Sequence, residues 1–507
     1  MNRFLPKIQI SGLKPKLNRN DFLSSGLAGV LLALSYPPLE WSALIWIALI
    51  PVLFHLKSRP YSSHAGFGFL TGVVFHTLHL YWIWHVTLLG LVLLILYLSL
   101  LWAALFWGMG QLLRWRGGFL LSALLWAGVE FVRSLGPFTF AWGYLGHSLY
   151  AWERLLQTTY WLGVPGLSFL IFLVNMALTE LITLGITNYR QALPLFWSLI
   201  LSKPCLHLGT ALLLVGSAAL YGQQVLTAPP DTQTEPFQIA LIQANIPHEA
   251  EIPSSEKLKE YLKLSKQAMH DQPALILWPE SAMSVSLNYW PEIVKSIQTF
   301  VDEHQVTILT GTLHDERIGP GEYRSSNRAF QFTPGAVLDY SEIPMDLSAL
   351  TWYDKIQLVP FGEFVPYGHT WPLTTITPTI EKMIENAGVG LKEPGNDLKL
   401  FSTPTGRTYA VAICFESTLA RQNARARRLG ADFLAVITYD SWFYQSAGLK
   451  QHFIQCAFRA AENRCYVIRS ANTGITGVFG PTGRIEVQYP SHSAGYCSYT
   501  LALPRHK

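Results

Sequence analysis

The chain has 507 residues, of which 50% are hydrophobic and 14% charged, with a net charge of +4 and a mean hydropathy of +0.24. That composition excludes a wholly soluble protein, and the length asks for two or more domains. Residues 1–227 carry 13 Lys and Arg against 5 Asp and Glu, leaving 24 against 28 for the rest, so no domain-wide cationic face remains for phosphates and a nucleic-acid partner is excluded.

The first half reads as membrane-embedded. No Asp, Glu, Lys or Arg occurs between Arg59 and Arg114; at about 1.5 Å rise per residue, one helix of that length far exceeds a bilayer core of about 30 Å, so the run must fold back. The apolar pattern predicts seven spans, near residues 20–37, 40–56, 66–86, 89–112, 118–134, 157–186 and 204–225. Arg3, Lys7, Lys14, Lys16, Arg19, Lys57, Arg59, Arg114, Arg116, Arg190 and Lys203 flank them on one side, and only Arg133 and Arg154 on the other. This asymmetry predicts a cytoplasmic N-terminus, and an odd number of spans then puts everything after Gln224 outside. The stretch from Tyr36 to Glu40 offers no small-residue cleavage pattern, so the first span is expected to stay uncleaved.

Within these spans, Tyr81, Trp82 and Trp84 are expected to form an interfacial aromatic belt. His76, His79 and His85 are expected to be packed or interfacial, since no carboxylate or thiol accompanies them. Glu130 and Arg133, one helical turn apart, predict a local ion pair. Residues 192–201, interrupted by Pro194, are too short to cross and are expected at the interface.

A polar, proline-containing linker divides the chain into a membrane domain (1–225), a linker (226–236) and an outer domain (237–507). The outer domain alternates β-like runs (237–245, 274–278, 306–312, 328–333, 409–414, 433–438, 465–470 and 477–488) with amphipathic stretches (256–270, 292–303 and 451–463), which predicts a layered α/β core. Residues 313–324 and 360–390 read as long loops, the kind that bind ligands or act as lids. Phe361, Phe364, Val365, Tyr367 and Trp371 are apolar for such a loop and suit lipid contact. Cys205, Cys456, Cys465 and Cys497 fit no zinc spacing, and a bridge among the last three is compatible with an outer compartment.

Three stretches carry chemistry. Residues 274–281 deliver Glu280 at the end of a buried-strand pattern, residues 353–366 present Lys355 and Glu363, and residues 408–417 end a strand in Cys414, Phe415 and Glu416. A carboxylate, an ammonium and a thiol are the parts of a thiol acyl-transfer site: the carboxylate takes the thiol proton, and the ammonium lowers the thiol pKa and holds the oxyanion together with the backbone N–H of Phe415. No metal or cofactor motif is present, and this chemistry requires neither.

The order Trp-Pro-Glu (278–280), Tyr-Asp-Lys-Ile-Gln-Leu-Val-Pro-Phe-Gly-Glu-Phe-Val-Pro (353–366) and Ile-Cys-Phe-Glu (413–416) resembles the carbon-nitrogen hydrolase (nitrilase) superfamily. The apolar first half makes the chain similar to its membrane-embedded apolipoprotein N-acyltransferases. The resemblance implies an α-β-β-α sandwich below which lies a multi-span helical domain, a Glu280, Lys355, Cys414 triad, and Glu363 and Glu416 as supporting acids. It implies a monomer that moves an acyl chain from a membrane phospholipid, through a Cys414 thioester, to the α-amino group of a diacylglyceryl-cysteine on a bacterial lipoprotein. Residues 439–443 resemble the family's Asn-Asp-Ala-Trp-Phe stretch with Tyr439 and Ser441 substituted; Trp442, Tyr439 and Phe361 are the expected substrate contacts. Two departures stand out. No tryptophan follows Asn245-Ile246-Pro247, where enterobacterial members carry one, and residues 484–507 hold no run apolar enough for a last span. The rival readings are a membrane-tethered amidase, for which seven spans are a large anchor, and a non-catalytic transporter, which would not need Glu, Lys and Cys together.

Overall fold

The protein's computed structural model describes residues 18–507 other than 58, 60–62, 116, 191–201, 230–232, 248–251, 321, 369, 371–372, 387–389 and 506–507. The expected interfacial segment 192–201, the basic residues Arg3 to Lys16 and Arg116, the residues just after Asn245-Ile246-Pro247, and Trp371 lie outside the described residues.

Among the described residues, seven helices of eight residues or more lie in the first half, besides the single turn Glu153–Leu156: α1 (Arg19–Leu34), α2 (Ile50–Lys57), α3 (His64–Leu80), α4 (Leu88–Leu112), α5 (Gly118–Val132), α6 (Thr159–Arg190) and α7 (Lys203–Thr227). α1 starts with a capping box: the Asn18 side chain accepts from the Asp21 amide at 3.1 Å and Asp21 accepts from the Asn18 amide at 2.8 Å. Among the described residues, α4, α6 and α7 are long and apolar enough to cross a membrane individually. α6 bends at Gly163, whose φ of +62° precedes Pro165. α3 stops at Leu80 and gives way to a 3₁₀ turn, Tyr81–His85.

Two expectations for this half need correction. Trp84 is 62% exposed but Trp82 is only 4% exposed; its indole N–H donates to Gln451 at 3.0 Å instead of facing a headgroup layer. Glu130 and Arg133 do not pair with each other. Arg133 donates to the carbonyls of Phe140 and Trp142 (3.2 and 2.8 Å), while Glu130 accepts from the Trp126 indole and the Leu145 amide (3.0 and 2.9 Å). The main chain after α5 lies nearer to each than they do to one another, and its buried polar groups need those partners.

The second half contains two sheets face to face. The first comprises β1 (Thr234–Gln243), β2 (Leu275–Leu277), β3 (Met283–Ser286), β4 (Thr307–Gly319), β5 (Glu322–Phe332), β6 (Thr351–Asp354) and β13 (Gly495–Pro504). Its order is β13-β1-β2-β4-β5-β6, with β3 on β4. The second runs β12-β11-β10-β9-β8-β7, from β7 (Leu400–Ser402), β8 (Thr408–Ile413), β9 (Phe433–Thr438), β10 (Val467–Ala471), β11 (Thr476–Phe479) and β12 (Ile485–Tyr489). Helices Ser254–Ala268 and Pro291–His304 bury Leu258, Tyr261, Ile297 and Val301 against the first sheet. Helices Ala447–Phe453 and Gln455–Asn463 bury Leu449, Phe453 and Ala457 against the second. The result is an α-β-β-α sandwich, whose mid-layer is sealed by Val411, Ile413, Leu277 and Leu309.

Residues 313–324 are not a loop. They are the outer arms of the β4–β5 hairpin, paired from Leu313↔Asn327 to Gly319↔Glu322; arms that project past the core need no apolar alternation, which hides them. Residues 477–488 divide into β11 and β12 around a turn in which the Gly480 amide donates to Arg484. All five cysteines are free, Cys456 and Cys465 being buried in the core, so no bridge forms among Cys456, Cys465 and Cys497.

The halves meet over the second sheet's helices. Phe415, Leu419, Phe458 and Ala461 pack with Leu149, Leu156 and Leu167 of the membrane half. Gln451 inserts its side-chain amide between Trp82 and Trp142, and a Cβ on Gly448 would stand 2.8 Å from the Trp82 ring, so this close approach requires glycine.

Candidate active site

Cys414 follows the last residue of β8 and holds φ = +51°, the left-handed region that non-glycine residues avoid. The turn is pinned by Glu416, which is fully buried. One carboxylate oxygen accepts from the Ile413 amide at 2.8 Å; the other accepts from the Ile356 and Gln357 amides (2.8 and 3.0 Å) and the Tyr353 hydroxyl (2.7 Å). Glu416 therefore ties the Cys414 turn of the second sheet to the segment of the first sheet that carries Lys355. Its expected supporting role is architectural.

Lys355 leaves β6 with its amide on the Asn327 carbonyl (2.9 Å) and is 1% exposed. Its Nζ donates to Glu363 Oε1 at 2.9 Å and lies 3.6 Å from Glu280 Oε1. Glu363 is held in turn by the Val359 amide on Oε2 (2.8 Å). Glu280 sits just beyond β2; Asn327 Nδ2 donates to its Oε1 (2.6 Å) and the Tyr439 amide to its Oε2 (2.7 Å). Space for it depends on Gly311 of β4, where a Cβ would come within 2.6 Å of Glu280 Cα.

Burial drives the electrostatics. It raises the pKa of Glu280, opposed first by Lys355 and reinforced by Glu363. Burial also pushes the Cys414 thiol up, with Glu280 adding to the rise and Lys355 working against it. For Lys355, burial disfavours the ammonium, but Glu363, Glu280 and Cys414 together outweigh it and lift its pKa. Burial thus favours a neutral thiol, while the carboxylates around Lys355 keep its ammonium charged.

One of the expected substrate contacts is bonded to this centre. Tyr439 reaches Glu280 through its main chain, and its ring lies edge-on to the half-buried Trp442 at 6.4 Å. Phe361, 46% exposed at φ = +58°, lies with Tyr367 against Phe138 of the membrane half, at ring distances of 6.1 and 5.7 Å.

Sequence reasoning missed four buried polar residues here. Asn327 orients Glu280. Asp440, His452 and Arg469 form a network behind Cys414: Asp440 accepts from Thr438 Oγ1 (2.7 Å) and Arg469 Nη2 (2.5 Å) and faces His452 Nδ1 at 2.9 Å. Arg469 and His452, together outweighing burial, hold the Asp440 carboxyl well below the usual carboxylate range, while burial and then Arg469 depress His452. Donor atoms of Cys414, Asp440 and His452 lie within 4.8 Å of one another, a set that suits a soft divalent cation in kind. The Arg469 guanidinium already supplies the positive charge to that carboxylate, so a cation would have to displace it. Only Asp440 lay in a stretch singled out for its chemistry, while His452 and Arg469 fell in stretches read as a helix and a strand.

Comparison with known proteins matches two separate stretches of the chain. Residues 28–177 match the apolipoprotein N-acyltransferase N-terminal domain and residues 238–506 match the carbon-nitrogen hydrolase family. The apolipoprotein N-acyltransferase of Geobacter metallireducens is 33% identical over 93% of this chain and 87% of its own length. That of Thermotoga maritima is 26% identical over 92% and 84%.

Proposed function

This chain belongs to the apolipoprotein N-acyltransferase family of the carbon-nitrogen hydrolases, and from that premise we propose that Glu280, Lys355 and Cys414 carry out N-acylation by a thioester route. The observation that carries the reading is a buried lysine held between two carboxylates, 2.9 and 3.6 Å away, beside a cysteine at a left-handed strand end.

In the first half-reaction Glu280 takes the Cys414 proton and Sγ attacks an ester carbonyl of a membrane phospholipid. The oxyanion is met by the Lys355 ammonium and the Phe415 N–H. On collapse the C–O bond breaks, Glu280 returns the proton to the departing lysophospholipid oxygen, and the acyl group stays on sulfur. In the second, Glu280 takes a proton from the α-amino group of a diacylglyceryl-cysteine. The nitrogen attacks the thioester, the C–S bond breaks, and the proton restores the thiol. Trp442, Tyr439 and the Phe361 patch bound the acyl path. All these groups come from one chain, so the reading needs no second copy.

The chain is a membrane protein. We place it in the bacterial cytoplasmic membrane with seven crossings, the N-terminus inside and residues 237–507 outside, on the strength of the lysine and arginine asymmetry. The test is mass analysis of a lipoprotein N-terminus in cells with and without this protein: the expected result is one additional amide-linked acyl chain in its presence, and release of free fatty acid without it points to the hydrolase reading. In purified protein given phospholipid, hydroxylamine-sensitive acyl groups map to Cys414 alone among five cysteines and disappear in Cys414→Ala.

The pH dependence follows from the neighbours of Glu280. Its pKa is raised, so the base is lost as pH falls through a value above the ordinary glutamate range, and that sets the acid limb of acylation. Glu363 contributes to the rise, so Glu363→Gln lowers the Glu280 pKa and moves the acid limb to lower pH. A limb that stays in place, or moves up, removes Glu363 from this role.

A further inference from the structure

His452 lies outside the groups used above, yet it is 1% exposed and both its ring nitrogens are engaged. Nδ1 faces Asp440 Oδ1 at 2.9 Å and Arg469 Nη2 at 3.1 Å, and Asp440 and Arg469 are themselves fully buried. The Nε2 edge is turned onto the nucleophile turn, 3.0 Å from Ser417 Oγ and 3.2 Å from the Cys414 carbonyl oxygen. Ser417 Oγ also lies 2.7 Å from that oxygen and commits its single proton to it, so Nε2, which faces both of those oxygens, is a hydrogen-bond donor.

This contact has a stereochemical consequence. The Cys414 carbonyl and the Phe415 N–H belong to one planar trans peptide unit and point in opposite directions. Fixing the carbonyl oxygen on Ser417 and His452 therefore fixes the N–H on the other side, where the oxyanion forms. The unit follows a residue at φ = +51°, a conformation that persists only where surrounding contacts impose it.

We propose that His452, seated by Asp440 and Arg469 and acting through Ser417, locks the Cys414–Phe415 peptide with its N–H toward the reacting carbonyl, and is a positioning residue for both half-reactions. The proposal rests on the thioester reading of Cys414. It assigns His452 no proton transfer with the thiol, since Nε2 is directed to the main chain and the Ser417 hydroxyl.

The test uses the full-length protein with vesicles of phosphatidylethanolamine and phosphatidylglycerol. Two rates are measured: single-turnover acylation of Cys414, which needs the oxyanion donors, and its alkylation by iodoacetamide, which does not. His452→Phe keeps the ring's bulk but not its nitrogens; acylation is expected to fall about tenfold or more, in the manner of a disturbed oxyanion donor, with alkylation little changed. His452→Gln returns a polar group toward Ser417 and recovers most of the rate. Ser417→Ala, which deletes one hydroxyl and spares the fold, slows acylation in the same way, and the double variant with His452→Phe is no slower than the worse single variant. The proposal is overturned if His452→Phe acylates at the parent rate, if alkylation and acylation fall together, or if the two substitutions multiply. A parent protein that alkylates at Cys414 but never acylates there would instead overturn the thioester reading.

Discussion

With Lys355 replaced by methionine, thioester formation at neutral pH falls by more than the roughly 10²–10³-fold cost of one oxyanion donor, because the base is impaired with it. Burial raises the Glu280 pKa, and Lys355 is the largest influence opposing that rise, while Glu363 adds to it. Without the ammonium, two buried carboxylates share one space and one of them takes up a proton. Glu280 is then ionised in a smaller fraction of molecules, so part of the lost rate returns as pH increases. In the parent the same rise lies at lower pH, because Lys355 holds the Glu280 pKa down. The fold is also weakened, since removing one member of a buried ion pair costs about 3–5 kcal/mol when its partners stay charged. Single-turnover acylation against pH, paired with urea unfolding, checks both. A pH-independent deficit would mean that Lys355 acts on the oxyanion alone.

Glu280→Gln is expected to slow acylation by the roughly 10²–10⁴-fold associated with general acid–base catalysis, and to abolish the acid limb. The fold has room for the change. Asn327 Nδ2 and the Tyr439 amide both donate to the native carboxylate, and an amide can accept only one of them. Among the described residues Asn327 Oδ1 has no hydrogen-bond partner, so rotating the Asn327 side chain turns an acceptor toward the new NH₂ group and satisfies the pair. Unfolding midpoints near the parent value with a collapsed acylation rate identify the carboxylate as the base. A parent-like rate at neutral pH would remove it from the mechanism.

Glu280, Lys355 and Cys414 were legible because each ends or follows a short apolar strand, and a buried strand that stops at a polar side chain is a local signal. The β-like runs alternating with amphipathic stretches pointed to a layered α/β core, and only the resemblance to nitrilases implied its α-β-β-α order. Asn327, His452 and Arg469 gave no such signal. Their meaning arises only from partners far away in the chain, Glu280 for Asn327 and Asp440 for His452 and Arg469. Trp82 was misread for the same reason: its position near a span end matches an interfacial ring, and the partner that turns it inward is 369 residues away. The β4–β5 hairpin was hidden by its own chemistry, since Asp315, Glu316, Arg317 and Gly319 look like loop residues and serve as well on strands that leave the core.

Gln451 uses the whole capacity of its amide: Oε1 accepts from the Trp82 and Trp142 indoles, and Nε2 faces the Pro37 and His79 carbonyls. All of these partners come from the part of the chain that is synthesised first. During translation all four partners are therefore synthesised before helix Ala447–Phe453, so that helix can dock only once most of the chain has been made. A secreted fragment starting at β1 would carry Gln451 without its four partners, and Phe415 and Phe458 without the apolar wall they pack on. Such a fragment retains every group of the Glu280 centre, but the helix that bears His452 has lost its seat. Domain-swapped chimaeras are subject to the same rule: an outer domain transplanted onto a foreign helical bundle needs the two indoles as well as a matching linker.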